Sequence, residues 1–159
     1  MKKIILLGFS FVLLLQIHAQ TKVTKANVVG KWNISAVEMT GLFYYSIEKD
    51  SLAIGDMMKS QIQDPSQLAT ITSTMKMQMA MFSTMAFIFN ADGTAKLGVG
   101  TGQEQDVTYT VDETESTITT VDKDKKEDTL KAEMVNENLR LVLKQPQGEI
   151  IMIVKKVKA

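Results

Sequence analysis

Eleven methionines and no cysteine stand in the 159 residues, and five of those methionines fall in "MKMQMAMFSTM", Met75 to Met85. A thioether is a ligand for soft cations such as Cu(I) or Ag(I). On a helix, Met75 with Met79, and Met77 with Met81 and Met85, are i,i+4 neighbours that can converge on one ion. The same side chains serve as adaptable apolar filler or as a soft surface for a lipid-like ligand. Spacing favours the apolar use. Alternate methionines point to nearly opposite sides of a helix, and Met75 and Met79 continue an apolar stripe begun by Leu68 and Ile71. The expectation is an apolar lid and core, with no metal site and no cofactor.

Other chemistry is narrowed by residue types. The single histidine is His18, close to the N-terminus. With no cysteine and no later histidine, the chain lacks the groups for Ser-His-Asp and Cys-His catalysis and for the usual zinc sets. Carboxylate pairs can do acid–base work, but Asp and Glu here fall mainly in turns and on polar strand faces. The protein is not expected to be an enzyme.

The first residues, "MKKIILLGFSFVLLLQIHAQ", have the three parts of a secretory leader: Lys2 and Lys3, an apolar run from Ile4 to Leu15, and small Ala19 before the cut. The expected signal peptide is 1–19 and the expected domain is 20–159. The apolar run is short of the ~20 residues that span a bilayer, so the expected product is exported, periplasmic or secreted, and not membrane-spanning. No cysteine stands at the cut to carry a lipid, so a lipoprotein is not expected. Losing Lys2 and Lys3 from the 18 basic side chains leaves 16 against 18 acidic ones. Near-neutral charge without a basic block gives no electrostatic case for nucleic acid. Without disulfides, an apolar core must hold the fold.

The elements that position these side chains are mostly strands. From Met85 the pattern has period two, broken by short turn signals. "MAFIF" meets "NADGT", where Asp92-Gly93 suits a hairpin. "AKLGV", "VTYTV", "TITTV", "LKAEM", "LRLVLK" and "IIMIVKK" follow, separated by polar turns. In "LRLVLK" the leucines face in and Arg140 and Lys144 face out. An eighth strand begins at Gly30 in "GKWNISAVEM". Its alternation slips between Ala36 and Val37, which predicts a bulge, and Gly41 allows a further bend before "LFYYSI". A long, bent first strand and seven hairpinned strands predict a mainly β protein, an eight-stranded up-and-down antiparallel barrel. A helical insertion over residues 48–84 separates the first strand from the second. Asp64 and Pro65 mark a helix start, and Leu68, Ile71, Met75, Met79 and Phe82 form its stripe.

Gly30-Lys31-Trp32 at the start of the first strand, the seven-strand meander and the "FIFNADGT" hairpin together resemble the lipocalins, and among them the short lipocalin-like domain proteins of bacteria. The resemblance implies that Trp32 lies across the closed end of the barrel, with Gly30 letting the chain cross close beneath it. It also implies an arginine stacked on Trp32. Arg140 is the only arginine, with Lys155 or Lys156 as substitutes.

The inward candidates Met85, Phe87, Phe89, Leu97, Tyr109, Leu130, Met134, Leu141 and Met152 are apolar, and no clear charge joins them. Two readings of function follow. In the first, the barrel binds a small apolar or amphipathic ligand through Met75, Met79, Phe82, Phe87, Phe89 and Tyr109. In the second, the barrel is filled and the Met-rich helix presents a contact surface to a protein partner. The direction of the helix stripe distinguishes them.

Overall fold

The computed structural model describes residues 22–62, 64–146 and 148–158; the expected leader lies outside them. Each run with period two forms a strand. In chain order these are β1 (Gly30–Met39), β2 (Phe43–Ser46), β3 (Ser51–Ile54), β4 (Ala86–Phe89), β5 (Thr94–Val99), β6 (Gln105–Asp112), β7 (Thr117–Val121), β8 (Glu127–Val135), β9 (Asn138–Gln145) and β10 (Gly148–Lys156). Helices α1 (Lys25–Val28), α2 (Asp56–Lys59) and α3 (Pro65–Met79) and a 3-10 helix (Ala80–Ser83) complete the elements.

Closure depends on β1. One edge of β1 pairs antiparallel with β10 along most of its length, from Trp32 opposite Lys156 to Met39 opposite Ile150. The other edge is shared. Gly30 to Asn33 pair with β4, and Ala36 to Met39 pair with β2. Strands β4 to β10 pair in sequence order, so β1 and β4–β10 close an eight-stranded antiparallel barrel. The β2–β3 hairpin flanks it on the upper half of β1. The bulge expected between Ala36 and Val37 lies slightly earlier, where the register against β10 shifts between Ile34 and Ala36. That shift lets both Ile34 and Val37 enter the core.

"LFYYSI" does not continue the first strand. Gly41, at φ +78°, takes a conformation that side-chain-bearing residues rarely adopt, and the Leu42 N–H donates to the Met39 carbonyl at 2.9 Å. The chain therefore reverses into β2. The segment 48–84 is helical in α2, α3 and the 3-10 helix, but Ser51–Ile54 within it is a strand.

The largest fully buried side chains are Val23, Val28, Trp32, Ile118, Leu139, Leu141 and Val154. Val23 and Val28 come from the segment before β1. Thr24 and Asn27 close a reciprocal capping box around α1, satisfying backbone donors at its start. This short turn thus plugs the Trp32 end of the barrel.

Asp64 caps α3, its carboxylate accepting from the Ser66 N–H at 2.8 Å. Leu68, Ile71, Met75, Met79 and Phe82 are all half-buried, and the alternate positions Met77 and Met81 are exposed. α3 packs against β3, and the 3-10 helix lies against β1. A polar chain ties the helix down: Tyr45 Oη donates to Asp50 at 3.0 Å, and Lys76 Nζ donates to the other Asp50 oxygen at 2.9 Å. Lys76 first, and then Tyr45, hold the Asp50 carboxyl below its ordinary pKa. Burial, then the Asp50 hydrogen bond, raises that of the Tyr45 phenol.

The signs define a pH window. Asp50 binds its proton less readily when folded, so its contribution is present above its unfolded pKa and disappears as pH falls through the lower folded value, under about pH 4. The Tyr45 contribution is present below its unfolded pKa and disappears as pH rises through the raised one, above about pH 10. Amide exchange across residues 66–79, corrected for intrinsic rates, should quicken on acidification in the wild type. Asp50→Asn should already show faster exchange at neutral pH and little further change in acid. Equal acid sensitivity in both proteins would contradict the tether.

Candidate ligand site in the barrel

The two ends of the barrel differ. At the closed end, Trp32 is wholly buried and its Nε1–H donates to the Val28 carbonyl at 2.7 Å. The cation over its ring belongs to Lys156, whose Nζ lies 5.3 Å from the ring centroid. Lys156 is the direct cross-strand partner of Trp32, which puts both side chains on one face of the sheet. The Lys156 ammonium stays at the surface, where it also donates to the Asn27 carbonyl at 3.4 Å. Gly30, at φ +137°, leaves the room: a Cβ there would come within 2.6 Å of Lys156 Cε. Arg140, the first expectation for this position, is elsewhere. It faces outward on β9 and pairs with Glu133, its β8 neighbour in register, at 3.2 Å.

Toward the opposite end, inward side chains line an open-mouthed cavity of about 310 Å³. Phe87 and Phe89 on β4, Leu97 on β5, Leu130 on β8, Leu141 and Leu143 on β9, and Met152 on β10 supply its apolar walls. Thr120, Lys126, Asp128 and Gln145 add polar groups, three of them where β8 begins and β9 ends. Lys126 and Asp128 pair at 3.3 Å, both largely exposed. These charges stand at the mouth of the cavity, beyond the inward residues named from the sequence. They come from the charged turn "DKDKKE" and the strand start after it, where period-two reasoning stops. An apolar chamber with a few polar groups at one end is the usual build of a small-ligand pocket, and its size is at the low end of the usual ~300–1,000 Å³.

The residues expected to touch a ligand separate into three groups. Phe87 and Phe89 line the cavity. Tyr109 is buried beside it in a structural role: its ring meets Phe89 edge-on at 5.0 Å, and its hydroxyl donates to the Asn90 carbonyl at 2.8 Å. Burial, and then the nearby Asp92 carboxylate, raises the Tyr109 pKa. Tyr109 thereby anchors the "NADGT" hairpin, which Asp92 itself organises by accepting from the Thr94 N–H and hydroxyl. Met75, Met79 and Phe82 are not among the cavity's lining residues: Phe82 packs on the edge of the core, and Met75 and Met79 are on the half-buried face of α3, which packs against β3, so the stripe does not form the expected lid over the chamber and the ligand reading rests on the chamber alone. Leu97, Leu130, Leu141 and Met152 were expected to face inward and line the cavity without having been named as ligand contacts; Leu143 is the one apolar wall residue absent from the inward candidates, although its inward position was plain from "LRLVLK".

Among the described residues, no three His, Cys, Asp or Glu side chains gather as a metal set, and no helix is long and apolar enough to cross a membrane. Compared with protein-family models, curated proteins and solved structures, the chain finds no significant match. The fold and cavity define a closed eight-stranded antiparallel barrel with an internal chamber, an architecture compatible with a lipocalin-like fold.

Proposed function

We propose that this is an exported, lipocalin-like binding protein that holds one small apolar or amphipathic, lipid-like molecule inside its barrel. The observation that carries the reading is the 310 Å³ chamber, apolar along its walls and polar at one end. An apolar tail would lie against Phe87, Phe89, Leu141 and Met152. A polar end would meet Gln145 and the Lys126–Asp128 pair, where solvent keeps the cost of a charge low. An eight-stranded barrel has room for one small guest and little more. The activity in this reading is binding without turnover. The leader pattern supports export, and with it a ligand met in the periplasm or outside the cell.

The test is extraction of the purified protein with organic solvent and mass spectrometry of the extract. One lipid-like compound per chain, or saturable uptake of a fluorescent fatty-acid analogue by the emptied protein, is the expected result. An empty extract together with no uptake would leave the barrel as a filled scaffold and overturn the reading.

A further inference from the structure

Three of the five large apolar side chains exposed among the described residues are methionines, Met57, Met77 and Met81. Met77 and Met81 lie four residues apart, along α3 and the 3-10 helix that continues it, at 77% and 57% exposure. Every Leu, Ile and Phe of that segment is half-buried, so its outer face carries thioethers and not hydrocarbon branches. Met85, the next in the i,i+4 series, turns the other way and packs on the core, as do Met134 and Met152.

Exposure decides which sulfurs an oxidant can reach. A peroxide transfers one oxygen atom to the thioether: an S–O bond forms, the O–O bond breaks, sulfur gives up two electrons, and the peroxide leaves as water. The product is methionine sulfoxide, which reductases return to the thioether. At a solvent-facing position the new polar oxygen is hydrated at once. At Met85, Met134 or Met152 it would be pressed against the apolar core without a partner.

We propose that Met77 and Met81 form a reversible oxidation site on the outer face of α3, taking oxygen from hydrogen peroxide while the barrel stays intact. The site is independent of the ligand reading, since neither residue lines the chamber. The test is timed exposure of the full protein to hydrogen peroxide, read by peptide mass spectrometry and by the near-ultraviolet dichroism of Trp32. Among the described residues the fast phase should add three oxygens, at Met57, Met77 and Met81, with the Trp32 signal unchanged. In the double variant Met77→Leu, Met81→Leu it should add one, at Met57. A pair of methionine sulfoxide reductases, one for each epimer, should then remove the added oxygens from the wild type. Oxidation of Met85, Met134 or Met152 at the pace of Met77 and Met81 would overturn the proposal. So would loss of the Trp32 signal during the fast phase, or sulfoxides at residues 77 and 81 that the reductases leave in place.

Discussion

Trp32→Ala is expected to cost about 3–5 kcal/mol of folding stability, the range for truncating a large buried aromatic. The indole has no exposed surface, and its neighbours are held by separate elements: Val28 by the capped turn before β1, Lys156 by pairing with β1 itself. Such walls relax poorly into a void, so most of the cavity cost should persist. The substitution also removes the donor to the buried Val28 carbonyl, and an unmet polar group of that kind costs about 1–3 kcal/mol within that total. Trp32→Phe separates the contributions. It keeps most of the packing, loses the hydrogen bond, and should cost less, the difference reporting the packing share. Against a total stability of about 5–15 kcal/mol, the alanine variant should unfold at markedly lower denaturant. Far-ultraviolet dichroism is the right probe, because Trp32 is the chain's only tryptophan. A loss below about 1 kcal/mol would place the indole at the surface.

The Trp32 end also shows what the sequence made legible. Period-two alternation located all eight barrel strands, because each turns one row of alternate side chains into the core. The same alternation already spoke against Arg140 as the partner of Trp32. With Leu139 and Leu141 inward, Arg140 must face out, and it does. The cation over the ring is set by register between β1 and β10, which links residues 124 apart in sequence, and no local pattern carries that information. The β2–β3 hairpin was hidden for another reason. Its reversal at Thr40–Leu42 depends on one glycine at positive φ, and β3 is four residues of weak strand character, "SLAI". The capped turn at Lys25–Val28 is too short to show any period at all. At the candidate site, the apolar walls were readable and the polar end was not, since Lys126, Asp128 and Gln145 stand where strands meet turns.

Leu143→Trp is expected to abolish uptake of an apolar probe, a loss of tenfold or more in affinity, equivalent to about 1.4 kcal/mol or above. Leu143 is half-buried on β9, lines the chamber beside Leu141 and Gln145, and stands toward the end through which a guest must pass. An indole there would occupy much of a space of only 310 Å³. Overpacking a filled core costs about 1–3 kcal/mol. Because the added atoms enter an existing void, the cost should lie at the bottom of that range, and the variant should fold. Lys144→Trp is the matched control. It puts the same indole one residue along β9, on the exposed outer face, and should bind the probe as the wild type does. Titration of the fatty-acid analogue into all three proteins, after solvent extraction, distinguishes the outcomes. Equal affinity in Leu143→Trp and wild type would move the ligand out of the barrel. Loss in both variants would point to the outer surface of β9. Loss in Leu143→Trp alone, with its fold intact, ties binding to the chamber walls and to the width that eight strands allow.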